Sequence, residues 1–314
     1  MVKYLLSIVV PAYNESENLV QTCDDIISAI PINYTYEIVV IDDGSTDSTV
    51  EIMHKINSKN KKIKLIALSR NFGKEIATTA GINSTKGDVT LILDADGQHP
   101  PELIPEFLAK WEAGSKVVIG VRESNVKEGF VKKYGSKIFY VLLNKIAGVK
   151  MVPSSTDFRL IDKEVSEAFK TMKESNRITR GLIDWLGYSP VYLTFHAKER
   201  IHGEAGYSTK KLIKLALNSV VSLSLLPLYI SSYTGIFIST LSAIIGTVVL
   251  IENYILSDPL GWDITGSASL GILIVFLVGV LLMSQGLIAL YISRIYEESR
   301  GRPLYAINKS RSLL

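Results

Sequence analysis

The sequence predicts an α/β domain, built of βα units around a parallel sheet, followed by two transmembrane helices. The first half alternates short apolar runs with longer stretches of helical period, the pattern of such units. Polar residues gather just after the apolar runs, at 11–17, 42–47, 69–75 and 94–101. In open α/β sheets that edge is where ligands bind. The second half has no charged residue between Lys214 and Glu252, and none between Asp263 and Arg294. A bilayer core needs about 20 apolar helical residues, and each stretch is longer than that.

The element boundaries follow from these patterns. Strands are expected at 5–10, 37–41, 63–68, 89–93 and 117–121, and helices at 18–29, 48–57, 76–83 and 103–113. Spans are expected at 229–251 and 267–291. Two spans put both chain ends on one side. The loop between them carries Glu252, Asp258 and Asp263 but no Lys or Arg, whereas Lys210, Lys211, Lys214, Arg294, Arg300, Arg302, Lys309 and Arg311 flank the outer ends. The positive-inside rule then makes the large domain and both termini cytoplasmic. Residues 209–226 mix three lysines with leucines and valines and suit the membrane interface. Residues 132–148 have a similar look, and an ordinary amphipathic helix on the sheet explains them equally well.

With 314 residues there is room for one substantial domain plus extra elements. Mean hydropathy is +0.24, and the apolar residues behind it are unevenly spread. A net charge of +3 gives no general case for nucleic-acid binding. Cys23 is the only cysteine, so there is no intrachain disulfide and no cysteine-based metal cage. His54, His99, His196 and His202 show no zinc spacing and read as surface or loop residues.

The strongest constellation is Leu93-Asp94-Ala95-Asp96-Gly97-Gln98-His99. An apolar strand running into carboxylates at i and i+2 places hard oxygen donors at the strand's carboxyl end. Such donors suit magnesium or manganese, which keep waters and take other ligands from substrate phosphates. A metal there would neutralise charge on a departing diphosphate. After the first strand come Pro11, Tyr13, Asn14 and Glu15, and after the second Asp42 and Asp43. Tyr13 and Glu15 can stack on and hydrogen-bond a nucleoside, and Asp42 or Asp43 can contact base or ribose. Structural readings stand beside these: Asn14 with Glu17 as a capping box, and residues 45–47 as a helix cap.

Together, Val10-Pro11-Ala12-Tyr13-Asn14-Glu15, Asp42-Asp43-Gly44-Ser45-Thr46-Asp47, Arg70-Asn71-Phe72-Gly73-Lys74 and Asp94-Ala95-Asp96-Gly97-Gln98-His99-Pro100-Pro101 resemble, in order and spacing, inverting family 2 glycosyltransferases of GT-A fold. More closely, the chain resembles polyisoprenyl-phosphate glycosyltransferases, the group of dolichol-phosphate mannose synthases and bacterial undecaprenyl-phosphate glucosyltransferases. The match covers roughly residues 5–210, and the spans with the terminal segment look like the bacterial branch. The resemblance implies that Pro11, Tyr13, Glu15, Asp42, Asp43, Lys74 and Asp94 bind the nucleotide-sugar, and that Asp94, Asp96 and Gln98 surround a Mg2+ or Mn2+ ion. It implies that Arg122, Lys132, Lys133 and Arg200 hold the acceptor phosphate, with the choice between the two lysines open. Asp157, in Ser155-Thr156-Asp157-Phe158-Arg159, joins Asp94 and Asp96 as a catalytic candidate, as a base or by orienting the acceptor. An anionic acceptor makes the base role the weaker claim.

The expected layout is a cytoplasmic GT-A domain at 1–208, a juxtamembrane amphipathic segment at 209–228, two transmembrane helices with a short external loop at 229–294, and a cytoplasmic tail at 295–314. The expected activity is transfer of one sugar, glucose from UDP-glucose, to a polyisoprenyl phosphate such as undecaprenyl phosphate. The Gln-x-x-Arg-Trp string of processive synthases is absent, which favours single-sugar transfer. The rivals are mannosyl transfer from GDP-mannose, transfer to a saccharide acceptor, and a membrane scaffold that only binds nucleotide-sugar. The expected location is the cell membrane, and homo-oligomers, a tetramer included, are compatible with it.

Overall fold

The computed structural model describes residues 4–123, 155–175, 177–196, 226–254 and 266–313. The juxtamembrane segment up to residue 225, the amphipathic stretch 132–148, Lys132, Lys133 and Arg200 lie outside the described residues. The chain divides into two compact units, Met1–Thr209 with Arg302–Leu314, and Lys210–Gly301.

The first unit is a seven-stranded sheet. In chain order its elements are β1 (Tyr4–Ala12), α1 (Leu19–Ala29), β2 (Tyr34–Asp42), α2 (Thr49–Lys59), β3 (Ile63–Ala67), α3 (Lys74–Ser84), β4 (Val89–Ile92) and α4 (Ile104–Glu112). There follow β5 (Val117–Arg122), β6 (Ser155–Asp162), α5 (Lys163–Thr171), α6 (Thr179–Trp185) and β7 (Pro190–Phe195). The strand order is β3-β2-β1-β4-β6-β5-β7. The expectation of a parallel sheet holds for β1, β2, β3 and β4, but β6 is antiparallel to both β4 and β5. Neither β6 nor β7 stood out in the sequence. β6 carries Asp157 and Arg159 among its apolar residues, and β7 is a partly exposed strand.

The central strands are apolar on both faces because helices cover both. On one face Leu6, Ile8 and Val10 of β1 join Leu19, Cys23 and Ile26 of α1, Met53 of α2 and Phe107 of α4. On the other, Val9 and Ile41 meet Ala77 and Ala80 of α3 and Phe169 of α5. The chain moves outward from β1 through β2 to β3, then returns to place β4 on β1's other side. This reversal opens a crevice at the carboxyl ends of β1 and β4, where α/β sheets bind ligands.

The second unit contains α7 (Leu226–Tyr254) and α8 (Gly266–Ser299). Large apolar side chains such as Ile230, Phe237, Ile244, Phe276 and Met283 are exposed along both. Among the described residues one helical stretch, Phe276–Ser299, is long and apolar enough to cross a membrane, and a shorter apolar stretch runs over Leu228–Ile238.

Candidate active site

Three loops at the carboxyl edge of the sheet are tied to one another. Asn14, after β1, has a left-handed backbone (φ 56°). Its amide donates to Ser45 Oγ (2.9 Å), and its side-chain oxygen accepts from the Thr46 amide (2.9 Å). Asn14 therefore does not form the expected capping box with Glu17, since α1 begins only at Leu19. The N-cap of α2 is Ser48, outside the expected 45–47, and it makes no side-chain cap bond; Asp47, just before it, accepts from the Thr49 amide at the start of the helix (3.0 Å). Glu15 accepts from Asn18 Nδ2 (2.6 Å). Pro11 is buried at the end of β1, while the Tyr13 ring is 45% exposed.

Asp42 ends β2, fully buried, and its Oδ1 accepts from the Ser45 amide (3.0 Å). Asp43 accepts the amides of Phe72 (2.7 Å) and Gly73 (2.9 Å) and is nearly buried. Burial raises its carboxyl above the ordinary value, with the two amides pulling the other way. Gly44 lets these loops meet: it has φ 72°, and a Cβ there would lie 2.5 Å from the backbone of Arg70.

Across the crevice the contacts are between charged side chains. Lys74, in the first turn of α3, places Nζ 2.8 Å from both Asp94 Oδ2 and Asp157 Oδ2. Arg180, in the first turn of α6, pairs through Nε with Asp157 Oδ1 (3.0 Å). Burial alone would raise the Asp157 carboxyl, but Lys74 and Arg180 overcome it and hold it well below the usual carboxylate range. Asp94 Oδ1 is buried and has no hydrogen bond. Asp96 accepts from the Gln98 amide (3.1 Å) in a turn that passes through Gly97 at φ 72°. Asp94, Gln98, His99, Arg122, Ser155, Thr156, Asp157, Arg180 and Phe195 line a cavity of about 190 Å³.

Sequence reasoning missed three supports of this cavity. His99 is in a loop but not at the surface: it is 5% exposed, stacked on Phe158 (5.1 Å between centroids) and edge-on to Phe195. Its Nδ1 accepts from the Asp94 amide (3.1 Å), which leaves the proton of the neutral ring on Nε2. Burial lowers its basicity in spite of the acids around it. Arg159, fully buried, bonds Asp184 (2.7 Å) and the Arg180 carbonyl (3.3 Å), bracing the turn that presents Arg180. A signal for Arg159 was there, a cation between Phe158 and Leu160 in an apolar run. For Arg180, one of two charges in a short helix far along the chain, there was none.

A mixed α/β sheet with acidic loops converging at this edge is the architecture of GT-A-like glycosyltransferases. Residues 7–169 match the family model "Glycosyl transferase family 2", and the chain belongs to that family. It is 40% identical over 304 residues to an uncharacterized glycosyltransferase of Synechocystis, covering 96% of this chain and 94% of that one. It is 35% identical over 308 residues to a prophage-derived bactoprenol glucosyl transferase of Shigella flexneri, covering 97% and 98%. Among solved structures, glucosyl-3-phosphoglycerate synthase from Mycobacterium tuberculosis, in complex with Mn2+, UDP and phosphoglyceric acid, superposes with a TM-score of 0.50 at 18% identity, over 70% of this chain and 77% of that one. At that identity the likeness is one of fold.

Proposed function

We propose that the chain transfers one sugar from a nucleotide-sugar to a polyisoprenyl phosphate at the cytoplasmic face of the cell membrane, with glucose from UDP-glucose and undecaprenyl phosphate as the substrate pair. The observation that carries this reading is the near full-length similarity to bactoprenol glucosyl transferases, which takes in the helical unit as well as the sheet.

Tyr13, Glu15 and Asp43 mark the nucleoside end, with Pro11 and the fully buried Asp42 supporting their loops from beneath instead of touching the ligand, and Lys74 with Asp94 marks the diphosphate end. The site fits a divalent cation. Asp94 Oδ1 is a buried acceptor with no hydrogen bond, and Asp96 and Gln98 stand in the same loop. Among the described residues no group of three or more His, Cys, Asp or Glu side chains could hold a metal, so most ligands would be waters and phosphate oxygens, the habit of Mg2+ and Mn2+. Bound there, the ion would stabilise negative charge on the leaving nucleoside diphosphate.

The acceptor phosphate is largely anionic near neutral pH, with a second pKa of about 6, and needs cationic positioning more than a base. Arg122, exposed at the end of β5, and Arg180 supply two cations to the cavity wall; Lys132, Lys133 and Arg200 remain candidates for the same task. Asp157 is ionised and ion-paired, hence a poor proton acceptor, and its role is to orient Lys74 and Arg180. The oriented phosphate oxygen then displaces the diphosphate at the anomeric carbon, with inversion.

Two membrane spans are supported by two features. The apolar faces of α7 and α8 are exposed, as lipid-facing helices are. The segment after α8 hydrogen-bonds β3 in the first unit, an arrangement that two crossings between them accommodate and one would not. Membranes incubated with labelled nucleotide-sugars and extracted for lipid should yield label from UDP-glucose. Label from GDP-mannose alone would move the sugar assignment, and none from any donor would overturn the reading.

A further inference from the structure

The chain's last segment, Arg302–Leu314, belongs to the sheet-bearing unit. It lies antiparallel on the edge strand β3, with Ile307 opposite Leu68 and Leu313 opposite Leu65. The Ser69 amide donates to the Ala306 carbonyl and the Asn308 amide to the Ala67 carbonyl (both 2.8 Å), and Leu65 and Leu313 exchange bonds in both directions. The Ala67 amide donates to Ser312 Oγ (3.0 Å). An edge strand that would otherwise present unpaired groups is thereby covered.

Between the two bridges, both antiparallel to β3, the tail loops out in a turn closed by the Arg311 amide on the Asn308 carbonyl (3.2 Å). The turn carries Arg311 across to the end of β2. There Nη2 lies 3.4 Å from the Ser45 carbonyl and 3.8 Å from Asp42 Oδ2. That oxygen is buried and makes no hydrogen bond. A buried carboxylate oxygen left so is costly unless a cation offsets it, and the guanidinium is placed to do so. Through Ser45, the same turn holds the backbone of Asn14, next to Tyr13.

We infer that Arg311 is a positioning residue for the nucleoside, so that the end of the chain, beyond both long helices, completes the nucleotide site. It acts through Asp42 and the 42–45 turn, setting the loops that carry Tyr13 and Asp43. This rests on the reading of those loops as the nucleoside end, and the experiment separates the two.

The test uses the full chain in detergent with Mn2+ and, as probe, the tighter binder of UDP and GDP. Arg311→Ala should raise the probe's Kd and the KM for nucleotide-sugar about tenfold, the scale of one charge-assisted contact. The KM for polyisoprenyl phosphate and kcat at saturating donor should stay within about twofold, and Arg311→Lys should recover at least half of the lost affinity. Asp43→Ala is the reference. If it weakens binding while Arg311→Ala does not, the inference fails and the nucleoside assignment stands. If neither substitution weakens binding, or neither probe binds the unaltered chain, both are overturned. An equal rise in donor and acceptor KM for Arg311→Ala, with no recovery by Arg311→Lys, would make the residue a fold support and also overturn the inference.

Discussion

On the β3-β2-β1 side of the sheet, the candidate residues sit in loops held by backbone hydrogen bonds; on the β4-β6-β5-β7 side, they are charged side chains held by each other. Asp43 is fixed by two amides and Asn14 by Ser45 and Thr46. Asp157, Lys74, Arg180 and Asp94 form one ion-paired chain. Amide-held loops are set before any ligand arrives, which suits a nucleoside with fixed donors and acceptors. An ion-paired chain can trade a partner for an incoming phosphate or cation at little cost, because Lys74 is 48% exposed in its side chain and such pairs are individually weak.

The largest effects should come from the meeting point of the two sides. Asp94→Asn or Asp96→Asn should cut transfer by about three orders of magnitude or more, as should a chelator, since charge stabilisation of the leaving group is lost. The thermal midpoint should barely move, because these are strand-end loop residues. Full activity in the Asp96→Asn protein or in excess chelator would remove the metal from the mechanism.

Next come substitutions that should separate the sides. Arg122→Ala should weaken use of lipid phosphate by roughly one to two orders of magnitude, from a charge-assisted contact of about 1.5–3 kcal/mol, with nucleotide affinity unchanged. Asp43→Ala should do the reverse. Equal loss of donor and acceptor affinity in either variant would show that the two sides do not divide the substrates.

A smaller, pH-dependent effect should mark the ion-paired side. The carboxyl of Asp157 is depressed in the folded protein, so its contribution to stability is present above the unfolded value of about 3.9 and is lost as pH falls through the folded value. Asp157→Asn should therefore lower the thermal midpoint at pH 7, and the gap from the unaltered protein should begin to narrow below about pH 4 and close only as pH falls through the depressed folded value. A gap independent of pH would mean that packing, and not charge, is what the substitution disturbs.

How much of this was legible in the sequence follows the same division. The β1, β2 and β4 loops each follow an apolar run directly, so Tyr13, Asp43, Asp94 and Asp96 could be named from local pattern. The four helices of the first half fell within about two residues of their observed bounds, as periodicity allows. Arg180 and His99 could not be found that way. Arg180 reaches Asp157 only because β6 inserts antiparallel between β4 and β5, and His99 is buried only because Phe158 and Phe195 close over it. Arg311 is separated from Asp42 by most of the chain, and the turn that joins them exists only once the tail lies on β3.

The smallest effect probes whether the loop-held side is rigid, and Cys23 reports on it. The thiol faces the core from α1, 1% exposed, among the residues that pack on β1. Burial, helped by the charge of Asp24, pushes its pKa up to about 12. Near pH 8 that leaves about three orders of magnitude less thiolate than a free cysteine of pKa about 8.5 would have, and only the thiolate reacts readily. A thiol-specific alkylating reagent should therefore leave the folded chain unlabelled over hours and label it within minutes in denaturant. Labelling should proceed no faster in Asp157→Asn, because that substitution falls on the other side of the crevice. Rapid labelling of the unaltered chain would mean that α1 opens often. The loop after β1 would then be no more fixed than the ion pairs opposite, and the contrast between the two sides would lose its physical basis.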